Sequence, residues 1–369
     1  MEKTFNGKAG IYQTTQKDAP RIAKSTTNIT DSRLGVAIVG CGYWGVNYVR
    51  VFNELSNAYI AGVCDQRTER LQAIKQRFPA IQTSENFKEV LAMDDVDAVV
   101  ICTTAATHYP LVRQALEAGK HVMVEKPMTT SSVHGQELKS LAEAKHLTLM
   151  VGHTFVYNSG IRMVKECIKS VGQVYYLYAR RTNLGPIRQD VNALWDLAPH
   201  DISIFNYWLD KVPEWVSAVG ARVLQNGYED VGFISLSYPD DIIAHIHASW
   251  AEPNKVRELV VVGSDQRISF NDLNPLEQVR VFKKGIMPVQ REASNYGEHQ
   301  FMMRDGDIVS PHVDVNEPLK TECQHFVDCV TRHEKPITGS KEGLDVVHIM
   351  EAIDQSVANK GTPIEVRYQ

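Results

Sequence analysis

The sequence predicts an α/β half, a doubly wound parallel sheet, followed by an α+β half built on a large, mostly antiparallel open sheet. Three observations carry this prediction. A glycine-rich turn, Gly40-Cys41-Gly42-Tyr43-Trp44-Gly45, joins the short β-branched run Gly35 to Val39 to a run of helical periodicity, Val46 to Leu55. From there to residue 152, strand-like and helix-like segments alternate, as a parallel sheet with helices on both faces requires. Past about residue 155 the texture changes to longer strands of alternating polarity.

Residues 1–33 are polar around a single Pro20 and bury too little apolar surface to offset their ordering entropy, so they read as a flexible arm. Residues 34–154 then read as a dinucleotide-binding Rossmann domain. Gly40 permits a tight turn, Gly42 lets the backbone approach a pyrophosphate, and Gly45 lets the helix pack closely on the strand. The first-turn N–H groups, near Tyr43 and Trp44, face the anion. The apolar run Ala58 to Cys64 ends at Asp65, 20 residues past Gly45, where a carboxylate meets the adenosine ribose hydroxyls. That carboxylate favours NAD over NADP by repelling a 2′-phosphate, although Arg67 is a basic neighbour.

The alternation continues with a helix at Thr68 to Phe78, a short strand at 81–83, a helix at Ser84 to Met93 and a buried strand at Val96 to Cys102. A helix from Tyr109 to Ala118 is closed by Gly119, and the strand His121 to Pro127, the helix Ser131 to Lys145 and the strand Leu147 to Gly152 complete the set. Ligands of such sheets lie beyond the carboxyl ends of the strands. Three strand ends therefore stand out: Cys64-Asp65, Thr103-Thr104 with His108, and Glu125-Lys126-Pro127.

Residues 155–369 form the second domain. Strands are expected at Val174 to Arg181, Trp215 to Leu224, Val231 to Tyr238, Ile242 to Trp250, Leu259 to Gly263 and Gln278 to Lys283, with Pro239-Asp240-Asp241 as a tight turn. Residues 284–316 are polar and long for a loop. Helices follow from Glu317 to about His333 and from Gly343 to Asn359; terminal helices of two-domain enzymes often return to pack on the first domain.

The length of 369 residues suits two cores rather than one, since single cores seldom grow past ~250 to 300 residues. A net charge of −5 with interspersed signs indicates neither a nucleic-acid stripe nor a membrane-surface patch. The six cysteines show no zinc spacing and read as reduced thiols, and His245 and His247 lack a third spaced ligand, so no metal is expected. With no signal-peptide core and no membrane-length apolar run, the expected compartment is the cytoplasm.

Two constellations can carry chemistry. Lys126 ends an apolar strand at the edge where a nicotinamide would lie, where a lysine can hydrogen-bond a substrate oxygen; a surface lysine capping the strand is the plain alternative. A cis Lys126-Pro127 bond would re-aim that side chain. In Leu194-Trp-Asp-Leu-Ala-Pro-His-Asp201, Pro199 belongs in a first helical turn, so the helix is expected to begin near Asp196 as N-cap, with His200 close by on the same side. A carboxylate that orients an imidazole and supports its protonated form makes an acid/base pair near neutral pH. The alternative leaves Asp196 as a cap and His200 as an interface histidine.

The Gly-rich turn at 40–45, Glu-Lys-Pro at 125–127 and Trp-Asp-Leu-Ala-Pro-His-Asp at 195–201 resemble, in the same order, the Gfo/Idh/MocA oxidoreductases, the glucose-fructose oxidoreductase and inositol dehydrogenase group. The resemblance covers the chain from about residue 34. It implies a nicotinamide-dependent sugar or polyol oxidoreductase whose C-terminal sheet is used for oligomerisation, with Lys126, Asp196 and His200 as the catalytic set. It also implies that Thr103, Thr104 and His108 lie along the cofactor, with Glu125 and Lys126 beside it. Ala105 departs from the proline usual there. Arg180-Arg-Thr-Asn-Leu-Gly185, Tyr296-Gly-Glu, Arg304-Asp-Gly-Asp307 and the segment 317–326 resemble the branch containing UDP-N-acetylglucosamine 3-dehydrogenases. Arg180, Arg181 and Arg188, with Asn183, are then substrate-binding candidates, since guanidinium groups meet a diphosphate bidentately; a solvated strand end is the alternative.

The expectation is an NAD-dependent dehydrogenase that oxidises a secondary hydroxyl of a sugar, at C3 of a UDP-N-acetylhexosamine. It is expected to act as a homodimer or homotetramer, without nucleic-acid or membrane partners. The alternatives are an NDP-ketosugar reductase, a free-polyol dehydrogenase, or a non-catalytic dinucleotide-binding sensor.

Overall fold

The computed structural model describes residues 33–185, 187–188, 190–224, 227–288 and 301–368. The polar arm, apart from Arg33, and the Tyr296-Gly-Glu stretch lie outside the described residues.

The first half runs β1 (Leu34–Val39), α1 (Tyr43–Glu54), β2 (Ala58–Cys64), α2 (Thr68–Arg77), β3 (Thr83–Ser84), α3 (Phe87–Leu91), β4 (Ala98–Ile101), α4 (Ala105–Glu117), β5 (His121–Glu125), α5 (Ser132–Ala144) and β6 (Leu149–Gly152). Its strands pair in parallel in the order β3-β2-β1-β4-β5-β6. The order reverses between β1 and β4, which opens a crevice at their carboxyl ends. β1 is buried along its whole length because helices cover both faces of the sheet. Val36 and Ile38 pack in one cluster with Tyr48 and Phe52 of α1; Ala37 and Val39 pack in the other with Val112 of α4 and Leu138 of α5.

The second half runs α6 (Ser159–Ile168), β7 (Val174–Thr182), α7 (Ala193–Leu209), β8 (Trp215–Ala221), β9 (Val231–Tyr238), β10 (Ile242–Ser249), β11 (Val256–Gly263), β12 (Arg267–Asn271), β13 (Val279–Phe282), β14 (Gly285–Pro288), β15 (Phe301–Arg304), β16 (Ile308–Val309), α8 (Pro318–Arg332), α9 (Ser340–Ala358) and β17 (Ile364–Glu365). A nine-stranded sheet forms in the order β16-β13-β12-β11-β7-β10-β9-β8-β17. Only the central β7–β10 pair is parallel. Its inner face packs on α6, α7 and α9, with Leu177, Ala179, Ile234 and Ala244 joining Ile202 and Phe205 in one core. Its outer face leaves Tyr176, Phe233 and Ile243 exposed.

α8 packs on α1, and Leu319, Cys323, Phe326 and Val327 share the β1 core. Emptying a fully buried site such as Phe326 by alanine costs about 3–5 kcal/mol. α9 packs on both α5 and β8, so it ties the two sheets together.

Several boundaries differ from expectation for identifiable reasons. α7 begins at Ala193 rather than Asp196, because the Asn192 side chain accepts the Trp195 N–H at 2.9 Å and is the true N-cap. Pro199 thus sits inside the helix, where it leaves the Trp195 carbonyl without its helical donor. α4 starts at Ala105, four residues before Tyr109, and contains Pro110. The helix expected from Ser84 shortens to Phe87–Leu91 because Asn86 caps it through the Lys88 N–H. α6, capped by Asn158, was not anticipated, and β14, β15 and β16 lie where a loop was expected.

Candidate active site

The glycine turn makes a cradle at the end of β1. Gly40 adopts φ +92°, and a Cβ there would fall 2.9 Å from the Cys102 carbonyl oxygen. A Cβ on Gly45 would sit 1.8 Å from the Gly40 carbonyl oxygen, so α1 reaches its seat only with glycine at that point. Gly42 is different: a Cβ would meet nothing nearer than the Arg70 guanidinium at 3.8 Å, so its face is open. No side chain caps the first turn of α1, which leaves its N–H groups directed at that opening, flanked by Tyr43 and Trp44.

Asp65 braces the same turn. Its Oδ2 accepts the Cys41 N–H at 2.6 Å and an Arg70 N–H at 3.3 Å, and its Oδ1 accepts the Arg67 N–H at 2.9 Å. The carboxylate is thereby held at the end of β2 beside the cradle, while the Arg67 side chain is exposed. These residues fit a dinucleotide: open N–H groups for the diphosphate, and an acid for the ribose.

At the end of β4, Thr103 is half-buried and Thr104 exposed, and Thr103 Oγ1 accepts from the Thr107 hydroxyl at 2.8 Å. His108 does not line the crevice with them. It is buried, with Nδ1 2.7 Å from the Pro127 carbonyl oxygen and Nε2 3.2 Å from the Thr103 carbonyl oxygen. Burial lowers its pKa against the opposing pull of the two carbonyls, and the neutral ring has one N–H to give, so it donates to one of them while its other nitrogen faces the second. Glu125 is likewise turned inward: Oε1 accepts the Tyr48 hydroxyl at 3.0 Å and Oε2 the Lys126 N–H at 3.2 Å, and burial raises its pKa. Both are buried beneath the site.

The Lys126-Pro127 peptide is cis. Lys126 Nζ donates to the Asp196 carbonyl oxygen at 2.7 Å and to Asp196 Oδ1 at 3.2 Å, so a residue of the first sheet closes on α7. Asp196 Oδ1 also accepts from Arg188 at 3.2 Å, and Oδ2 from the Trp250 indole at 3.3 Å. Burial works to raise the Asp196 pKa, but the Lys126 and Arg188 charges outweigh it and hold the carboxyl below its ordinary value.

This arrangement corrects the expected Asp196–His200 pair. One turn apart on α7, the two side chains are not bonded; the carboxylate serves Lys126, Arg188 and Trp250 instead. His200 packs edge-on against Phe155, centroids 4.9 Å apart, and its Nδ1 is buried without a hydrogen-bond partner among the described residues. Burial, then the cations Lys126 and Arg181, push its pKa well below the ordinary value. The neutral form of the imidazole is therefore the favoured one.

The substrate-binding set also changes. Arg181 is buried in a bidentate ion pair with Asp201, its Nη2 2.7 Å from Oδ1 and its Nε 3.0 Å from Oδ2, so it is not available to a diphosphate. Strand alternation sends its neighbour Arg180 to the opposite, exposed face of β7, away from α7. Asn183 and Arg188 remain, on the loop between β7 and α7. Arg188 is held by Asp190 at 2.6 and 2.8 Å as well as by Asp196.

Sequence reasoning missed four participants. His153, just past β6, has both ring nitrogens buried without a partner among the described residues; burial and then Lys126 push its pKa down to about 3. Phe155 follows two residues later. Glu322 of α8 is buried with its pKa raised, first by burial and then by Glu125, and accepts the Thr154 hydroxyl at 2.8 Å. Arg257 of β11 lies over the Phe155 ring. The only signal available was that His153 and Phe155 follow the last strand of the parallel sheet; α8 and β11 arrive from more than 100 residues away.

Fold and site together define a dinucleotide-binding oxidoreductase of the Rossmann type, with a second sheet closing the cleft through α7. A model of the oxidoreductase family with NAD-binding Rossmann fold matches residues 34–153, and one of the GFO/IDH/MocA C-terminal domain matches residues 162–269. The chain belongs to the GFO/IDH/MocA family. Among its relatives, D-apiose dehydrogenase of Paraburkholderia graminis is 23% identical over 372 residues, covering 95% of this chain and 94% of that protein. UDP-N-acetylglucosamine 3-dehydrogenase of Acidithiobacillus ferrooxidans is 25% identical over 64% of this chain and 74% of its own length. A solved structure of GenD2 from gentamicin A biosynthesis, in complex with NAD, matches with a TM-score of 0.77 at 23% identity, over 91% of this chain and 97% of that one.

Proposed function

We propose that this enzyme is an NAD-dependent dehydrogenase that oxidises a secondary hydroxyl of a sugar, with C3 of a UDP-linked N-acetylhexosamine as the substrate position. The observation that carries the reading is the closure of Lys126 onto Asp196 at the crevice between the sheets, with a neutral His200 one helical turn away. The bound nicotinamide supplies the hydride acceptor. His200 takes the hydroxyl proton, and Lys126, held by Asp196, polarises the hydroxyl oxygen and then the carbonyl it becomes. The open Gly42 face and the α1 first turn hold the diphosphate; Asp65 takes the ribose and selects NAD over NADP. The exposed apolar face of the nine-stranded sheet serves association between subunits.

The nucleotide-sugar assignment is supported by the Acidithiobacillus relative and by Arg188. A second reading, a free sugar or polyol as substrate, is favoured by the engagement of Arg181 with Asp201 and the outward course of Arg180, which leave few cations for a diphosphate. Reduced-nicotinamide formation across UDP-sugars, free sugars and polyols, each with NAD and with NADP, decides between them. Turnover of a UDP-N-acetylhexosamine with NAD is the expected result; activity confined to free polyols overturns the substrate assignment.

A further inference from the structure

Arg181, expected at a diphosphate, lies instead over the ring that packs against the imidazole on which the proposed reaction depends. Its guanidinium carbon is 4.3 Å from the centroid of the Phe155 ring, and the Phe155 ring is the one against which His200 packs at 4.9 Å and 69°. Arg181 is fixed in turn by three hydrogen bonds of 2.7 to 3.1 Å to Asp201, the residue after His200 on α7. Asp201 is fully buried and Arg181 is 4% exposed, so the fork has no freedom to turn. Arg257, itself paired with Asp272 at 3.0 Å, lies 5.5 Å over the same ring. The chain of contact is closed: α7 carries His200 and Asp201, Asp201 grips Arg181 of β7, Arg181 stacks on Phe155, and Phe155 meets His200.

We propose that Phe155, clamped by the Arg181–Asp201 pair, is the positioning residue that sets the orientation of His200. The inference rests on the reading of His200 as the proton acceptor. An edge-on aromatic contact fixes the plane of an imidazole whose Nδ1 has no hydrogen-bond partner to do so. The charged groups around the ring supply no bond that would do this instead. His200 is faced by Lys126 from the β5 end, His153 from the β6 end, Arg181 from β7 and Arg257 from β11, with Asp196 and Asp201 on its own helix. The two carboxylates are held by Lys126 and Arg188 and by Arg181 respectively. None of them bonds the imidazole.

The test uses the full-length chain and two readouts. Phe155→Leu keeps an apolar side chain but removes the ring; kcat falls about 10- to 100-fold while KM stays within about threefold, the pattern of a misaligned reacting group. The second readout is the NMR chemical shift of the His200 ring protons, identified among the 13 histidines as the resonances missing from His200→Gln. Because removing Arg181 alone would strand a buried carboxylate, the clamp is released by neutralising the pair together as Arg181→Met/Asp201→Asn. The His200 ring shifts then move, as they do in Phe155→Leu, because the Phe155 ring no longer holds its edge-on place beside the imidazole. Arg181→Lys, which keeps a cation against Asp201, leaves the shifts close to those of the wild-type chain. Wild-type kcat in Phe155→Leu, or unchanged ring shifts in the neutralised pair, overturns the proposal. Failure of every substrate would refute the reaction instead, and the ring shifts would still decide the placement of His200.

Discussion

Lys126 Nζ and Asp196 meet across the two sheets through two hydrogen bonds, 2.7 Å to the backbone carbonyl and 3.2 Å to the carboxylate. The lysine is 8% exposed, so this acid, which it shares with Arg188, faces its charge where solvent otherwise would. Asp196 thus acts as the anchor of a lysine and not as the partner of a histidine.

From this relationship, Lys126→Met should lower kcat/KM about 10²- to 10⁴-fold, the usual contribution of a positioned proton-transfer or polarising group. Asp196→Asn keeps the carbonyl contact and one neutral acceptor, and should cost less, about 10-fold. Steady-state kinetics on both proteins check this. Equal losses would mean that the carboxylate has a part of its own in the reaction.

Stability should carry the mark of His153. Its pKa lies near 6.5 in the unfolded chain and is pushed down to about 3 by burial in the folded one. Between those values the unfolded state binds the extra proton, so this group's stabilising contribution is complete above about pH 6.5 and shrinks as pH falls, by up to about 1.4 kcal/mol per unit. Urea unfolding at pH 7.5 and 5.5 should show the wild-type chain losing about 1 kcal/mol more than His153→Leu. Equal losses would show that the imidazole is hydrated in the folded state.

Two glycines of the cradle should separate cofactor binding from folding. In Gly45→Ala the new methyl collides with the Gly40 carbonyl at 1.8 Å, and thermal unfolding should reveal a marked loss of stability. Gly42→Ala has room and should keep a near-native melting temperature, but should weaken NADH binding about 10-fold or more in a fluorescence titration, because the methyl occupies the diphosphate's approach. Wild-type NADH affinity in Gly42→Ala would place the diphosphate elsewhere.

Asp65→Ser removes the charge that repels a 2′-phosphate and leaves Arg67 and Arg70 close by. The ratio of NADPH to NADH affinity should rise about 10-fold or more, a change readable by the same titration. Some stability should go with it, since Cys41 N–H and Arg67 N–H lose their acceptor. An unchanged ratio would mean that the ribose is recognised by other groups.

Much of the cofactor half was legible from local pattern. The glycine turn and the acid 20 residues beyond it fall where they were read, and the strand read from His121 to Pro127 forms over His121–Glu125 with Lys126 just past its end, because each depends on neighbours within one βαβ unit. Helix starts were less legible. Asn192 displaced the expected opening of α7, since Pro199 sits inside that helix instead of marking its beginning, and α4 opens after Thr104 rather than at Tyr109.

What the sequence by itself determined is therefore the doubly wound sheet, the antiparallel-rich second sheet and the types of residue at the strand ends. Local periodicity and turn chemistry govern these. Partner choice was decided only in the folded chain: Asp196 took Lys126 and Arg188 in place of His200, Asp201 took Arg181, and His108 came to lie between two backbone carbonyls. Such choices depend on which charges burial forces together across distant strands. A buried charge goes to the counter-charge that the packing brings within reach, and sequence spacing does not record that distance.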